Sequence, residues 1–121
     1  MQIKRGVAVL ELHHALRYGL LVLEEEAHRE TGRGIVVTAF QDGIHSTTSL
    51  HYGVTYQGRK TLEADPRCRG ADIRTRDHTL EQRLNIERRA RLRLGPDFDL
   101  IWEGPPGPHW HLEYDPKPPE S

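Results

Sequence analysis

Near the end of the chain runs Glu103-Gly-Pro-Pro-Gly-Pro-His109-Trp110-His111-Leu112-Glu113-Tyr114. Read as a strand, His109 to Tyr114 has a two-residue period that puts His109, His111 and Glu113 on one face. Trp110, Leu112 and Tyr114 then face the other way. Two imidazoles and a carboxylate backed by three large apolar side chains suit a metal or acid–base site held by a core. A His-x-His pair alone is ordinary strand decoration, but here the rest of the chain supplies partners. In Arg69-Gly70-Ala71-Asp72-Ile73-Arg74, Asp72 shares a strand face with Arg74, opposite Ala71 and Ile73. A carboxylate opening an apolar strand is costly to bury unless it is paired or coordinates a metal. His51, in Ser49-Leu50-His51-Tyr52-Gly53, completes a two-His, one-carboxylate set with Asp72 and His111. That set leaves the fourth tetrahedral position to water, the pattern of catalytic zinc. With Cys68 the only cysteine, a cysteine-rich structural zinc site is excluded.

The elements that must position these residues are legible in the apolar spacing. A helix is expected from about Val9 to Glu30, with Leu12, Leu16, Leu20, Leu23 and Ala27 as one stripe and Gly32 and Gly34 ending it. Ile35 to Phe40 is β-branched and continuous, a buried strand. Gln41 to Ser49 is a polar loop, and Gly53 to Gly70 a long surface excursion. Ala71 to Thr75 alternates and returns to the sheet. A second helix starts at Thr79, where Thr79-Leu80-Glu81-Gln82 has the form of a capping box, and stops at Gly95-Pro96. Its stripe is Leu80, Leu84, Ile86, Ala90 and Leu94, interrupted by Glu87 and Arg91. Phe98 to Trp102 is a strand, residues 104–108 a tight Pro/Gly connection, and residues 116–121 a Pro-rich tail. The expected class is α+β: a single domain over residues 1–115 with a small antiparallel sheet packed against two main helices.

Composition narrows the classes of function. At 121 residues with a formal net charge of −1, the chain has no global field favouring nucleic acid or a membrane surface. No apolar run approaches the roughly 20 residues of a membrane span. The opening apolar stretch is broken at Glu11 and runs into His13-His14, a poor signal peptide.

Taken in order, Ser49-x-His51, then Arg69-x-x-Asp72, then Glu103 and His109-x-His111-x-Glu113, the chain resembles the zinc peptidases of the D,D-carboxypeptidase and L-alanyl-D-glutamate endopeptidase group. That group shares its fold with the Hedgehog signalling domain. The likeness is greatest to its small phage and bacterial members, and it runs from about Val36 to Asp115. It implies that His51, Asp72 and His111 hold Zn2+, that Glu103 is the general base, and that His109 orients substrate or stabilises the developing oxyanion. Ser49 supports the site or contacts substrate, and His45 borders the cleft. Glu113 would hold an imidazole tautomer from behind. The implied partner is a peptidoglycan stem peptide, met by a monomer, with neither nucleic acid nor membrane bound. An enzyme made in the cytoplasm without a signal peptide would reach the wall through a holin, as an endolysin does, or inside a phage tail.

The chain departs from the group's pattern twice. His51 and Asp72 lie twenty-one positions apart where seven is usual, so Gly53 to Arg69 is an insertion, expected at the rim of the cleft. Asp65 is the alternative second ligand. Glu103 stands eight positions before His111, further than usual, across Pro105, Pro106 and Pro108. Two rival functions follow from these departures and from the Arg88-Arg89-x-Arg91-x-Arg93 run: a non-catalytic zinc-binding module of the same fold, and a metal-dependent nuclease. On a helix, however, those arginines spread around the circumference, and a solvated face is expected. His13, His14, His28 and His78 are expected at the surface, and Arg59, Lys60, Arg67 and Arg69 facing the carboxylates of a stem peptide.

Overall fold

Two helices cover one face of a five-stranded mixed sheet in this α+β domain, seen in a computed structural model that describes residues 1–7, 12–41 and 67–116. In chain order the elements are β1 (Gln2–Ile3), α1 (His14–Thr31), β2 (Val36–Gln41), β3 (Gly70–Arg74), α2 (Leu80–Leu94), β4 (Phe98–Glu103) and β5 (His109–Tyr114). The strand order is β1-β2-β3-β5-β4. Four strands pair antiparallel as the sequence suggests, but β1 adds a parallel partner to β2. Two residues are too few to carry a periodic signal, so this edge was not foreseeable. Among the described residues no helix is long and apolar enough to cross a membrane. Most of the long excursion, with Asp65, Arg59 and Lys60, lies outside the described residues, as do Val9 and residues 117–121 of the tail.

Helix α1 begins at His14, later than the stripe implies, because His13 takes an extended backbone and its Nδ1 accepts the Ala15 N–H at 3.1 Å. Leu12 therefore falls outside the helix and forms an isolated bridge to Cys68. At the other end Gly32 adopts φ 76°, the left-handed conformation that glycine takes without strain. Leu16, Leu20, Leu23 and Ala27 are buried against Ile35, Val37, Ala71, Ile73, Trp110 and Leu112 of the sheet. A side chain on Gly19 would come within 2.9 Å of the Phe98 ring and 3.1 Å of Leu112, so glycine lets α1 lie close on β4 and β5.

The capping box at the start of α2 is complete: Gln82 N–H donates to Thr79 Oγ1 at 3.1 Å, and Thr79 N–H to Gln82 Oε1 at 3.0 Å. The buried face of α2 differs from the expected stripe. Leu80 and Leu84 are exposed, while Ile86, Glu87, Ala90 and Leu94 face inward. Glu87 is buried because it has partners there: the Trp110 indole donates to its Oε2 at 2.8 Å, and Arg83 and Arg91 pair with it. Arg88, Arg91 and Arg93 of the arginine run are exposed, as a solvated face requires, but the run also makes specific ion pairs. Arg89 donates to Glu26 and Glu30 at 2.7 Å each, and Arg93 to Glu25 at 2.6 Å and Glu26 at 2.9 Å, so the two helices are laced by ion pairs. Burial pushes the Glu26 carboxyl up, but hydrogen bonds from Arg89 and Arg93 outweigh it and hold the group below its ordinary range. Arg91 pairs within α2, with Glu87, and Arg88 is exposed.

These differences set up a paired test of stability. Glu87→Ala leaves a buried indole N–H without its acceptor and two guanidiniums without their carboxylate, and should cost about 2–4 kcal/mol in chemical denaturation. Leu84→Ala, at a position the apolar spacing alone assigns to the core, should cost under about 1 kcal/mol because the side chain is half in water.

Candidate functional site

The sheet face opposite the two helices carries the polar residues, and strand register decides which of them meet. Asp72 of β3 sits directly across from His111 of β5, and Arg74 across from His109. On the other side of β5, Glu103 of β4 is opposite His109, Ile101 opposite His111 and Asp99 opposite Glu113. The alternation expected for β5 is what places them: Trp110 and Leu112 are fully buried beneath the helices, which turns His109, His111 and Glu113 to the opposite face.

His111 is the centre of the cluster. Its Nδ1 lies 3.0 Å from Asp72 Oδ1 and its Nε2 3.0 Å from Glu113 Oε1, so each ring nitrogen meets a carboxylate. Those hydrogen bonds, Asp72 first and Glu113 second, outweigh burial and raise the imidazole from 6.5 to about 9. His109 stands beside them, its Nε2 4.0 Å from Asp72 Oδ1 and 3.8 Å from Glu103 Oε1, while Nδ1 lies 2.7 Å from the Gly107 carbonyl. Glu103 belongs to β4 rather than to the Pro/Gly connection, and its side chain is 59% exposed. The eight-residue separation from His111 thus resolves into a hairpin that returns Glu103 beside His109.

Of the residues the sequence singles out, Asp72, Glu103, His109, His111 and Glu113 share this face, whereas His45, Ser49 and His51 lie outside the described residues. Cys68 does not join them. It is fully buried in the apolar core, with Sγ 3.0 Å from the Gly70 carbonyl. Arg69 is also buried, its carbonyl accepting the Tyr114 N–H, so it is not the exposed substrate-facing residue expected from its charge. His13 is buried and stacks on Tyr114, and His78 is half-buried beside Trp110, both contrary to a surface placement.

Asp72 and His111 are two donors of the kinds that divalent cations take. Two carboxylates against one imidazole are anionic in excess. The 3.0 Å between Asp72 and His111 is near the roughly 3.3 Å that separates two ligands on one zinc with bonds of about 2.0–2.1 Å. Glu113 on Nε2 leaves Nδ1, on the Asp72 side, as the nitrogen for a metal; a carboxylate behind a ligating imidazole commonly fixes its tautomer. Among the described residues no three His, Cys, Asp or Glu side chains form a ready metal-holding group, and the third ligand expected from the sequence, His51, is not among them.

The metal-free protein should show the His111 ring titrating near pH 9 by NMR, with Asp72→Asn and Glu113→Gln each moving the midpoint down. Since the folded value lies above 6.5, the stability this imidazolium contributes is complete below about pH 6.5 and is lost as pH rises through about 9. A divalent cation taken up at Nδ1 would displace the same proton, so its apparent affinity would rise with pH over that window.

Compared with models of known protein families, with curated proteins and with solved structures, the chain matches none.

Proposed function

We propose that the protein is a zinc-dependent peptidase that hydrolyses a peptide bond in peptidoglycan stem peptides, with the fold shared by D,D-carboxypeptidases and the Hedgehog domain. The observation that carries this reading is the register of β3, β5 and β4, which lines up Asp72, His111, His109 and Glu103 across one sheet face. Asp72 and His111, with His51, would hold the metal. When bound, zinc supplies Lewis acidity to the scissile carbonyl and to water.

The chain's own residues then have distinct tasks. Glu103, exposed and free of any arginine or lysine contact among the described residues, accepts the proton of the attacking water and returns it to the amine that leaves. His109, its Nδ1–H donated to the Gly107 carbonyl and its Nε2 between Glu103 and Asp72, donates from Nε2, when the ring is doubly protonated, toward the oxygen on which charge develops. Glu113 keeps the His111 ring in place. Water adds to the carbonyl carbon, the C–N bond breaks, and a carboxylate and an amine result. A phage endolysin or a tail-associated enzyme would use this chemistry on the bacterial wall.

The non-catalytic zinc module remains the second reading, because Glu103 approaches His109 rather than the Asp72–His111 pair. Two experiments divide them. The protein should bind one zinc per chain, and His51→Ala, Asp72→Ala or His111→Ala should each weaken binding strongly; full occupancy in Asp72→Ala would shift the ligand to Asp65. Zinc-loaded protein incubated with purified peptidoglycan should release new peptide ends detectable by mass spectrometry. Glu103→Gln should keep its zinc and fold but lose a factor of about 10²–10⁴ in that hydrolysis. No cleavage by either protein, with zinc retained in both, would favour the binding module. A salt-sensitive affinity for DNA would favour the nuclease.

A further inference from the structure

A cavity of about 460 Å³ opens where the α1–β2 connection meets the turn after β3, bordered by Arg33, Gly34, Ile35, Arg74, Asp77 and His78. That volume suits a small molecule rather than a lone ion. Two guanidiniums are fixed there by one acidic residue. Arg74 Nε donates to Asp77 Oδ2 at 2.8 Å, and Arg33 Nη2 donates to the Asp77 carbonyl at 3.1 Å. Because both bonds end on Asp77, the two side chains converge from distant parts of the sequence. Nη1 and Nη2 of Arg74, and Nε and Nη1 of Arg33, make no hydrogen bond to a described residue. The Gly34 N–H makes none either.

The charges facing the cavity leave a positive excess. Asp77 offsets one of the two arginines, and the Met1 ammonium at the rim is matched by Glu24 at 2.7 Å. Burial pushes the His78 imidazole down, toward its neutral form, and its buried Nδ1 has no hydrogen-bond partner. One guanidinium charge is therefore open to an anion. A carboxylate has two oxygens, and a single guanidinium fork engages both. A phosphate monoester presents three terminal oxygens and nearly two charges, enough to accept from both guanidiniums at once. Ile35 and Val36 in the lining offer apolar contact to the organic group beyond the phosphate.

We propose that this cavity binds a small phosphate monoester, with Arg33 and Arg74 gripping the phosphoryl oxygens and the apolar wall receiving the organic group. The assignment needs neither zinc nor the peptidase reading, and the site shares no residue with the Asp72–His111 pair. Since Arg33 follows α1 and Arg74 ends β3, a bound ester bridges two segments of the fold and stabilises the folded chain by mass action.

The test uses the full chain with a chelator present and ribose 5-phosphate as the probe, titrated by calorimetry beside ribose and inorganic phosphate. The ester should bind at least about tenfold more tightly than either fragment, and the melting temperature should climb with its concentration. Arg33→Gln and Arg74→Gln should each weaken that binding about tenfold or more while melting near the parent temperature without ligand. Arg74→Lys, which keeps the charge and loses the planar fork, should recover part of the affinity. By NMR the His78 ring resonances should shift on binding. Absence of binding, ribose or inorganic phosphate binding as tightly as the ester, or affinity that survives both Gln variants would overturn the assignment. So would shifts at His109 and His111 with none at His78, which would put the anion on the strand cluster instead. If a Gln variant folds poorly, the Lys variant and the His78 resonances decide.

Discussion

The hydrogen bond from the Trp110 indole to Glu87 is the interaction on which the remainder of the structure depends. A fully buried indole must find an acceptor, and the one it finds is a carboxylate on α2 that is itself buried. Arg83 and Arg91 make that burial tolerable by pairing with the carboxylate, and the Arg83 guanidinium also lies 3.9 Å over the Trp102 ring. The bond ties α2 to the middle of β5 and sets the phase of that strand. Because side chains alternate, a slip of one residue would carry His109, His111 and Glu113 into the core and Trp110 into water. The polar cluster is thus held in place from the far side of the sheet.

On the cluster's own side the governing quantity is charge. Asp72 and Glu113 meet across a single imidazole, each 3.0 Å from one of its nitrogens. Such an arrangement fixes the ring at both nitrogens. It also distinguishes the roles of the two histidines. His111 is enclosed between carboxylates, whereas His109 is fixed through Nδ1 at the Gly107 carbonyl and presents Nε2 between Asp72 and Glu103.

Much of the fold was legible because it is written in strict periods. The alternation of β5, the capping box at Thr79 and the glycine stop at Gly32 all rest on local rules, and the structure contains each of them. What failed needed information from distant residues. Leu80 and Leu84 fit an apolar stripe, yet Glu87 takes the inward position, since only tertiary contacts with Trp110, Arg83 and Arg91 can compensate a buried carboxylate. The ion pairs of Arg89 and Arg93 could not be read from the arginine run, because their partners, Glu25, Glu26 and Glu30, belong to a helix some sixty residues earlier. Arg69 and Cys68 read as loop residues, but the backbone bridge to Leu12 and the bond to Tyr114 draw them inside. For the site, residue identity and strand face could be read from the chain. The nearness of Glu103 to His109 could not, since it depends on β4 extending one residue past Trp102 and turning back through the Pro/Gly connection.

Strand β4 closes the sheet on one side and exposes Ile101 and Trp102 there, features that in many proteins invite a second molecule to add its own strand. Here the Leu100 carbonyl is already occupied, accepting a 2.7 Å hydrogen bond from Arg91, which Glu87 holds from behind. An incoming strand would have to displace a guanidinium that is also paired with the buried Glu87 carboxylate. The helix therefore acts as a guard against edge-to-edge aggregation, and the same Glu87 that orients the interior also protects the margin of the sheet.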